Sequence, residues 1–330
     1  MTATGLPFDD FRTLIADLPG PDPDAGQLAR NAIERAGGDG VFGRLGELAA
    51  WYCDWSGRSP AVVSRPLAAV FAGNHGVAAR GVSVRPQSWT STMVEHCTAG
   101  GAAVNQACVA ADVGLKVFDL ALDIPTGDIS REAALDERAC AATMAFGMEA
   151  VAGGADLLCI GSIGVAGSTV AAAVLAALYG GDGAAWVDPG LGAGGEMQRH
   201  KAAVVDEALA VHSGHLKDPL ETLRRLGGRE FAAIAGAILA ARIQRIPVIL
   251  DGFAATASAA LLKALDGSAI DHCILAAVGH EPGHARAAER LGLRPVLDFG
   301  SDLGAGAEGA LAAGVVKAAA QLHAGTKPVD

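Results

Sequence analysis

Five short apolar runs, most of them closed by a glycine and followed by a helix-like stretch, limit what this chain can become. They are LAAVFAG (67–73), LKVFDLAL (115–122), DLLCIG (156–161), IPVILDG (246–252) and HCILAAVG (272–279). A run that is apolar at nearly every position, rather than at alternate ones, suits a strand covered on both faces. Segments 140–153, 168–179, 229–243 and 253–265 lie between and after these runs and read as helices. Strand alternating with helix predicts an α/β fold built on a doubly wound, mostly parallel sheet. The first sixty residues read instead as helices, in GQLARNAIERA and FGRLGELAAWYCDW. The chain closes on another, GALAAGVVKAAAQLHAG.

Composition narrows the function classes. A chain of 330 residues that is 51% hydrophobic and 18% charged buries a large core. A net charge of −11 with no Lys/Arg block argues against a nucleic-acid partner. Cys53, Cys97, Cys108, Cys140, Cys159 and Cys273 are scattered without CxxC spacing, the pattern of buried reduced thiols rather than a disulfide frame or zinc site. The opening MTATGLPFDDFRTL has early acids and no apolar core, unlike a secretory signal. Residues 157–181 carry no charge, but glycines at 161, 164 and 167 divide them into a strand and a helix, each too short to span a bilayer. A cytoplasmic protein with no membrane partner is expected.

In a doubly wound sheet, ligands sit beyond the carboxyl ends of the strands. Four polar or glycine-rich segments would meet there. The first, FAGNHGVAARGVSVRPQSWT (71–90), holds Asn74, His75, Ser83 and Gln87. The second, GSIGVAGST, supplies Gly161, Ser162, Gly164, Gly167, Ser168 and Thr169. Its glycines would leave backbone N–H groups facing open space at a helix start, which suits a phosphate. The third, VDPGLGAGGEMQRHK, holds Gly190 and Gly192 and ends on Lys201. In the fourth, LDGFAATAS, Asp251 leaves a strand where a helix begins, a position commonly taken by an N-cap. Together they favour a nucleotide or sugar-phosphate pocket.

The histidines do not build a metal site. His280 and His284 are four apart in GHEPGH, but Pro282 and Gly283 interrupt the helix such a pair would need. His212 and His215 lack an obvious third ligand. A dehydrogenase reading of GLGAGGE fails for want of a suitably spaced acid.

These segments, in this order, resemble the nicotinate-nucleotide:dimethylbenzimidazole phosphoribosyltransferases. The likeness also runs through MVEHCTAGGAAVNQ, DLALDIPTGDI, ERACAATMAFGMEA, LGGRE, LDGFAATA and EPGH. It implies a Rossmann-like large domain over 60–295, a small, mainly helical domain from 1–59 and 296–330, and a homodimer. It implies that ribose phosphate moves from nicotinate mononucleotide to 5,6-dimethylbenzimidazole or a related base without metal or cofactor, the partners being a nucleotide and an aromatic base. By the same resemblance Asn74, His75, Ser83 and Gln87 belong to the base pocket. The GSIGVAGST residues, Gly190, Gly192, Lys201 and Asp251 belong with phosphate and ribose.

The chain departs from the family at its chemistry. Where the family loop reads GEMGIGNTT, Ser162 replaces the glutamate and Ala166 the third glycine. Where the family reads MRLGEGTGA, Ala305 replaces the proposed base glutamate. The family's KPPGSLGRLE becomes GGDGVFGRLGE, losing its lysine and both prolines. Glu308, three residues past Ala305, is the candidate surrogate base, with Asp302 behind it; the plain alternative for Glu308 is a solvated acid in a helix first turn. Two further readings follow: a catalytically silent paralogue that binds nucleotide, benzimidazole or corrinoid intermediate, and a protein that pairs with an active paralogue.

Overall fold

The computed structural model describes residues 7–37, 39–187 and 195–327. Helices α1 (Pro7–Ala16), α2 (Pro23–Arg35) and α3 (Asp39–Ser56) precede β1 (Pro66–Ala72), α4 (Trp89–Thr98), α5 (Ala103–Ala111) and β2 (Gly114–Asp119). Then come α6 (Glu137–Met148), β3 (Leu157–Ile163), α7 (Gly167–Tyr179), α8 (Gly183–Trp186), α9 (Gly195–Val211), α10 (Pro219–Leu226) and α11 (Arg229–Ile243). The chain finishes with β4 (Val248–Leu250), α12 (Phe253–Leu265), β5 (Cys273–Leu275), α13 (Pro282–Leu291) and α14 (Ala307–Gly325).

All five strands are parallel, in the order β2-β1-β3-β4-β5. Side chains alternate between faces, and both faces are buried in β1, β3, β4 and β5, whereas the edge strand β2 stays half-buried to exposed. Ala69, Phe71, Leu158, Ile160, Val248 and Leu250 join one core, with α1, α6, α7 and α9 to α13. Ala68, Val70, Ala72, Leu157, Cys159 and Ile249 join the other, with α2, α3, α5 and α14. Double coverage is why these strands read as unbroken apolar runs. The last two are shorter than the sequence suggests: beyond Leu275 the backbone is taken over by 295–297, with Val296 N–H donating to Leu275 O and Leu297 N–H to Ala276 O.

Alanine and glycine set the helix spacing. A Cβ on Gly147 of α6 would lie 1.9 Å from Ala233 O, and one on Gly236 of α11 would lie 1.9 Å from Met144 O, so these helices cross with backbones nearly touching. All six cysteines are buried free thiols. Among the described residues no helix is long and apolar enough to cross a membrane.

The strand order reverses between β1 and β3: the chain moves from β1 outward to β2, then returns to β3 and continues to β4 and β5. Loops leaving β1 and β3 diverge at that point, and a crevice opens beyond the strand ends.

Candidate active site

A cavity of about 380 Å³ occupies this crevice. Its middle is the β3–α7 loop, Ser162 to Ser168. One side comes from Ser83, Arg85, Trp89 and Met93. The other comes from Asp251, Glu281, His284, the 301–305 segment and Glu308.

The β3–α7 loop differs from the open amide cradle that its glycines suggest. Gly167 N–H donates to Gly164 O, Thr169 N–H to Ala166 O, and Val165 N–H to the Thr90 hydroxyl. Those three donors are spent inside the protein. Ala166, the N-cap of α7, has a left-handed backbone with φ +70°, a region that disfavours a Cβ. Lys201 is buried and donates from Nζ to Ser168 Oγ at 3.1 Å. Its charge therefore supports the loop through a hydroxyl that itself lines the cavity.

Asp251 does not cap its own helix. The N-cap of α12 is Gly252, at φ +87°, and Asp251 Oδ2 instead accepts the N–H of Gly309 at 2.8 Å, in the first turn of α14. That donor needs an outside partner because the α14 N-cap, Gly306, has no side chain. Burial, reinforced by the nearby Glu308 carboxylate, pushes Asp251 up to about 7. Glu308 is not solvated: it is 2% exposed, and its Oε1 accepts Leu303 N–H at 2.6 Å. The 301–306 segment folds over it, contrary to the reading as an exposed first-turn acid. Asp302 Oδ2 accepts the N–H of His280 at 3.3 Å at the cavity mouth.

His284 is the neutral member of this wall. Burial holds it down to about 4. Its Nδ1 accepts Gly279 N–H at 3.0 Å, so Nε2 carries the proton and donates to Thr256 Oγ1, which donates on to Gly252 O. This chain of bonds fixes the turn after β4.

Of the residues singled out in the sequence, Ser83, Ser162, Gly164, Gly167, Ser168, Asp251 and Glu308 line the cavity. Asn74, His75, Gln87, Gly161, Thr169 and Lys201 stand outside that lining. Asn74 Nδ2 donates to Leu122 O, and Gln87 Nε2 to His75 O. Gly161 serves packing, since a Cβ there would lie 2.5 Å from both Cα and N of Gly306. Gly190 and Gly192 fall outside the described residues.

His75 is 1% exposed, with Nε2 2.5 Å from Glu230 Oε1, a close contact outside hydrogen-bond alignment. Glu230 reaches the cavity lining and is not singled out as a site residue in the sequence; its signals there are its place at the end of LGGRE and immediately before the otherwise apolar FAAIAGAILAA. Arg85, Trp89 and Met93 escape a sequence reading too, because an aromatic and a thioether one helical turn apart read as core.

A doubly wound sheet with a lysine-backed loop and buried carboxylates at its switch point defines an α/β protein with a ligand-sized cleft beyond its strand ends. Comparisons with known proteins narrow the class. A family model described as Phosphoribosyltransferase matches residues 18–330. The nicotinate-nucleotide–dimethylbenzimidazole phosphoribosyltransferases of Rhizobium rhizogenes and Rhizobium johnstonii are each 60% identical over 326 residues, covering 98% of this chain and 96% of theirs. The crystal structure of the enzyme of that name from Thermus thermophilus matches with TM-score 0.84 and 34% identity, over 92% of this chain and 96% of that one. The chain belongs to this phosphoribosyltransferase family.

Proposed function

We propose that this chain moves the 5-phosphoribosyl group of nicotinate mononucleotide to 5,6-dimethylbenzimidazole or a related base, giving α-ribazole phosphate and nicotinate. The activity for which its relatives are named supports the reading. The observation that carries it is that Asp251 and Glu308 line one cavity with the β3–α7 loop. The donor's pyridinium is already a good leaving group, so the protein has three tasks: hold the phosphate, orient the base and accept its proton.

Ser168, with Lys201 behind it, and the α7 N-terminus supply the positive end for the phosphate. The base nitrogen attacks C1′ from the face opposite the departing nicotinate. The C1′–pyridinium bond breaks, its electron pair leaves with nicotinate, and the proton on the base's other ring nitrogen passes to a carboxylate. Asp251, held near 7, suits that transfer at neutral pH. Glu308 raises Asp251's affinity for the proton and is the second acceptor. In this account the two stand in for the glutamates replaced by Ser162 and Ala305.

The test is incubation of the protein with both substrates, with nicotinate and α-ribazole phosphate resolved by chromatography and each ligand titrated separately by calorimetry. Product supports the transferase. One observation favours a second reading: neither Ser162 nor Ala305 can take a proton at the family positions. Saturable binding of nucleotide, benzimidazole or a corrinoid intermediate without product would make the chain a silent paralogue. We further propose a homodimer; isolation of a mixed dimer with an active relative would favour a supporting role instead.

A further inference from the structure

A carboxylate stands on each side of the β3–α7 loop. Asp251 follows β4, whereas Glu230 packs against the end of β1: a Cβ on Gly73, the residue after that strand, would run into its Oε2. Because β1 and β4 flank β3 in the sheet, the two acids approach the cavity from opposite sides.

Glu230 and His75, 2.5 Å apart, are each 1% exposed. Glu230 Oε2 and both ring nitrogens of His75 are buried with no aligned hydrogen-bond partner among the described residues. Buried polar groups are ordinarily satisfied, so such a cluster calls for an explanation. Glycines keep room around the pair. A Cβ on Gly164 would lie 2.9 Å from Glu230 Oε1, and one on Gly228 would lie 2.5 Å from His75 Cε1. Glu230 and Gly164 line the cavity together with Trp89 and Met93, which stand one turn apart on α4. This side of the cavity thus joins an apolar shelf to a carboxylate whose capacity to accept hydrogen bonds is unfilled.

We propose that Glu230, held by His75, is a specificity determinant for the accepting base, and that this chain prefers an azole carrying a hydroxyl or amino donor on its six-membered ring. The inference rests on the cavity being the site where the base is received. With the imidazole N–H directed to Asp251, the far edge of the ring system reaches the Glu230 side. A methyl on that edge displaces water from the carboxylate and offers no donor in return. A hydroxyl in the same place donates a charge-assisted hydrogen bond. A site built to bond a hydroxyl discriminates strongly against an analogue that lacks it.

Calorimetric titration of the full chain with 5-hydroxybenzimidazole and with 5-methylbenzimidazole isolates the donor, since the two differ little in size. The wild type is expected to bind the hydroxyl ligand about tenfold or more tightly, the scale of one charge-assisted contact. Glu230→Met should bring the hydroxyl ligand down to the methyl level without weakening the methyl ligand. Glu230→Gln keeps a carbonyl acceptor and should give an intermediate ratio. His75→Leu removes the neighbour that holds the carboxylate and should narrow the ratio as well. Circular dichroism of each variant verifies folding, and the wild-type ratio decides the matter where a variant does not fold. Equal binding of the two ligands to the wild type, tighter binding of the methyl ligand, no binding of either, or an unchanged ratio in folded Glu230→Met each overturns the proposal. A Glu230-dependent preference without nicotinate release from the mononucleotide would remove the transferase reading and keep this subsite. Release at rates indifferent to both the hydroxyl and Glu230 would do the reverse.

Discussion

Asp251 Oδ2 accepts the backbone N–H of Gly309 at 2.8 Å, so a carboxylate at the end of one strand caps a helix 58 residues away in sequence. The bond joins the two halves of the acidic wall. It places Asp251 beside Glu308 and ties the terminal helix to the sheet.

Replacing that acceptor separates its structural role from its charge. Asp251→Ala is expected to lower stability by about 1–2 kcal/mol, the usual range for a lost cap. Asp251→Asn retains an oxygen for Gly309 and should cost less. Urea unfolding midpoints at constant slope distinguish the two.

Stability should also depend on pH through this residue. The folded state keeps the Asp251 proton up to about pH 7, whereas an ordinary aspartate releases it near 3.8. Between those values the folded state binds more protons than the unfolded state. The raised affinity therefore contributes stability at low pH that is lost as pH rises toward 7, and has no further effect above it. Asp251→Asn should flatten that part of the stability curve relative to wild type, as denaturant titrations across pH 4–8 would record.

Much of this arrangement is legible in the chain. The inner parallel strands announce themselves because burial on both faces leaves almost no polar residue between the first apolar residue and the closing turn, while the edge strand β2 carries Lys116 and Asp119. The loops converge on one edge because a doubly wound sheet leaves them nowhere else. What stays hidden depends on non-local geometry. Glu308, the candidate surrogate base, also admits the reading of a solvated first-turn acid, because only the fold reveals that Leu303 N–H turns back onto it. Asp251 reads as a cap for α12 because the distant Gly309 is not its neighbour in sequence. Arg85 and Trp89 carry no motif; their meaning lies in the cavity they share.

Ala166 stores strain at the start of α7. At φ +70° a Cβ is disfavoured, and no side chain caps the helix there. Ala166→Gly should raise stability by roughly 0.5–1 kcal/mol, the left-handed penalty less the entropy glycine adds to the unfolded chain. A higher urea midpoint would record it.

Gly161 carries the opposite expectation. A Cβ there would lie 2.5 Å from Gly306 Cα and N, backbone atoms that have no side-chain freedom to yield. Gly161→Ala should cost about 1–3 kcal/mol and push the 301–306 segment off β3. A lower thermal midpoint together with weakened ligand binding would follow.

The central claim is that buried carboxylates outside the two family glutamate positions take the proton in phosphoribosyl transfer. Its most direct test is the rate of nicotinate release from nicotinate mononucleotide and 5,6-dimethylbenzimidazole at pH 7.5, for wild type, Asp251→Asn and Glu308→Gln. The wild type should release nicotinate measurably, and at least one variant should fall by about 10²–10⁴-fold, the range for a lost general base. No release by the wild type, or wild-type rates in both variants, would contradict the claim.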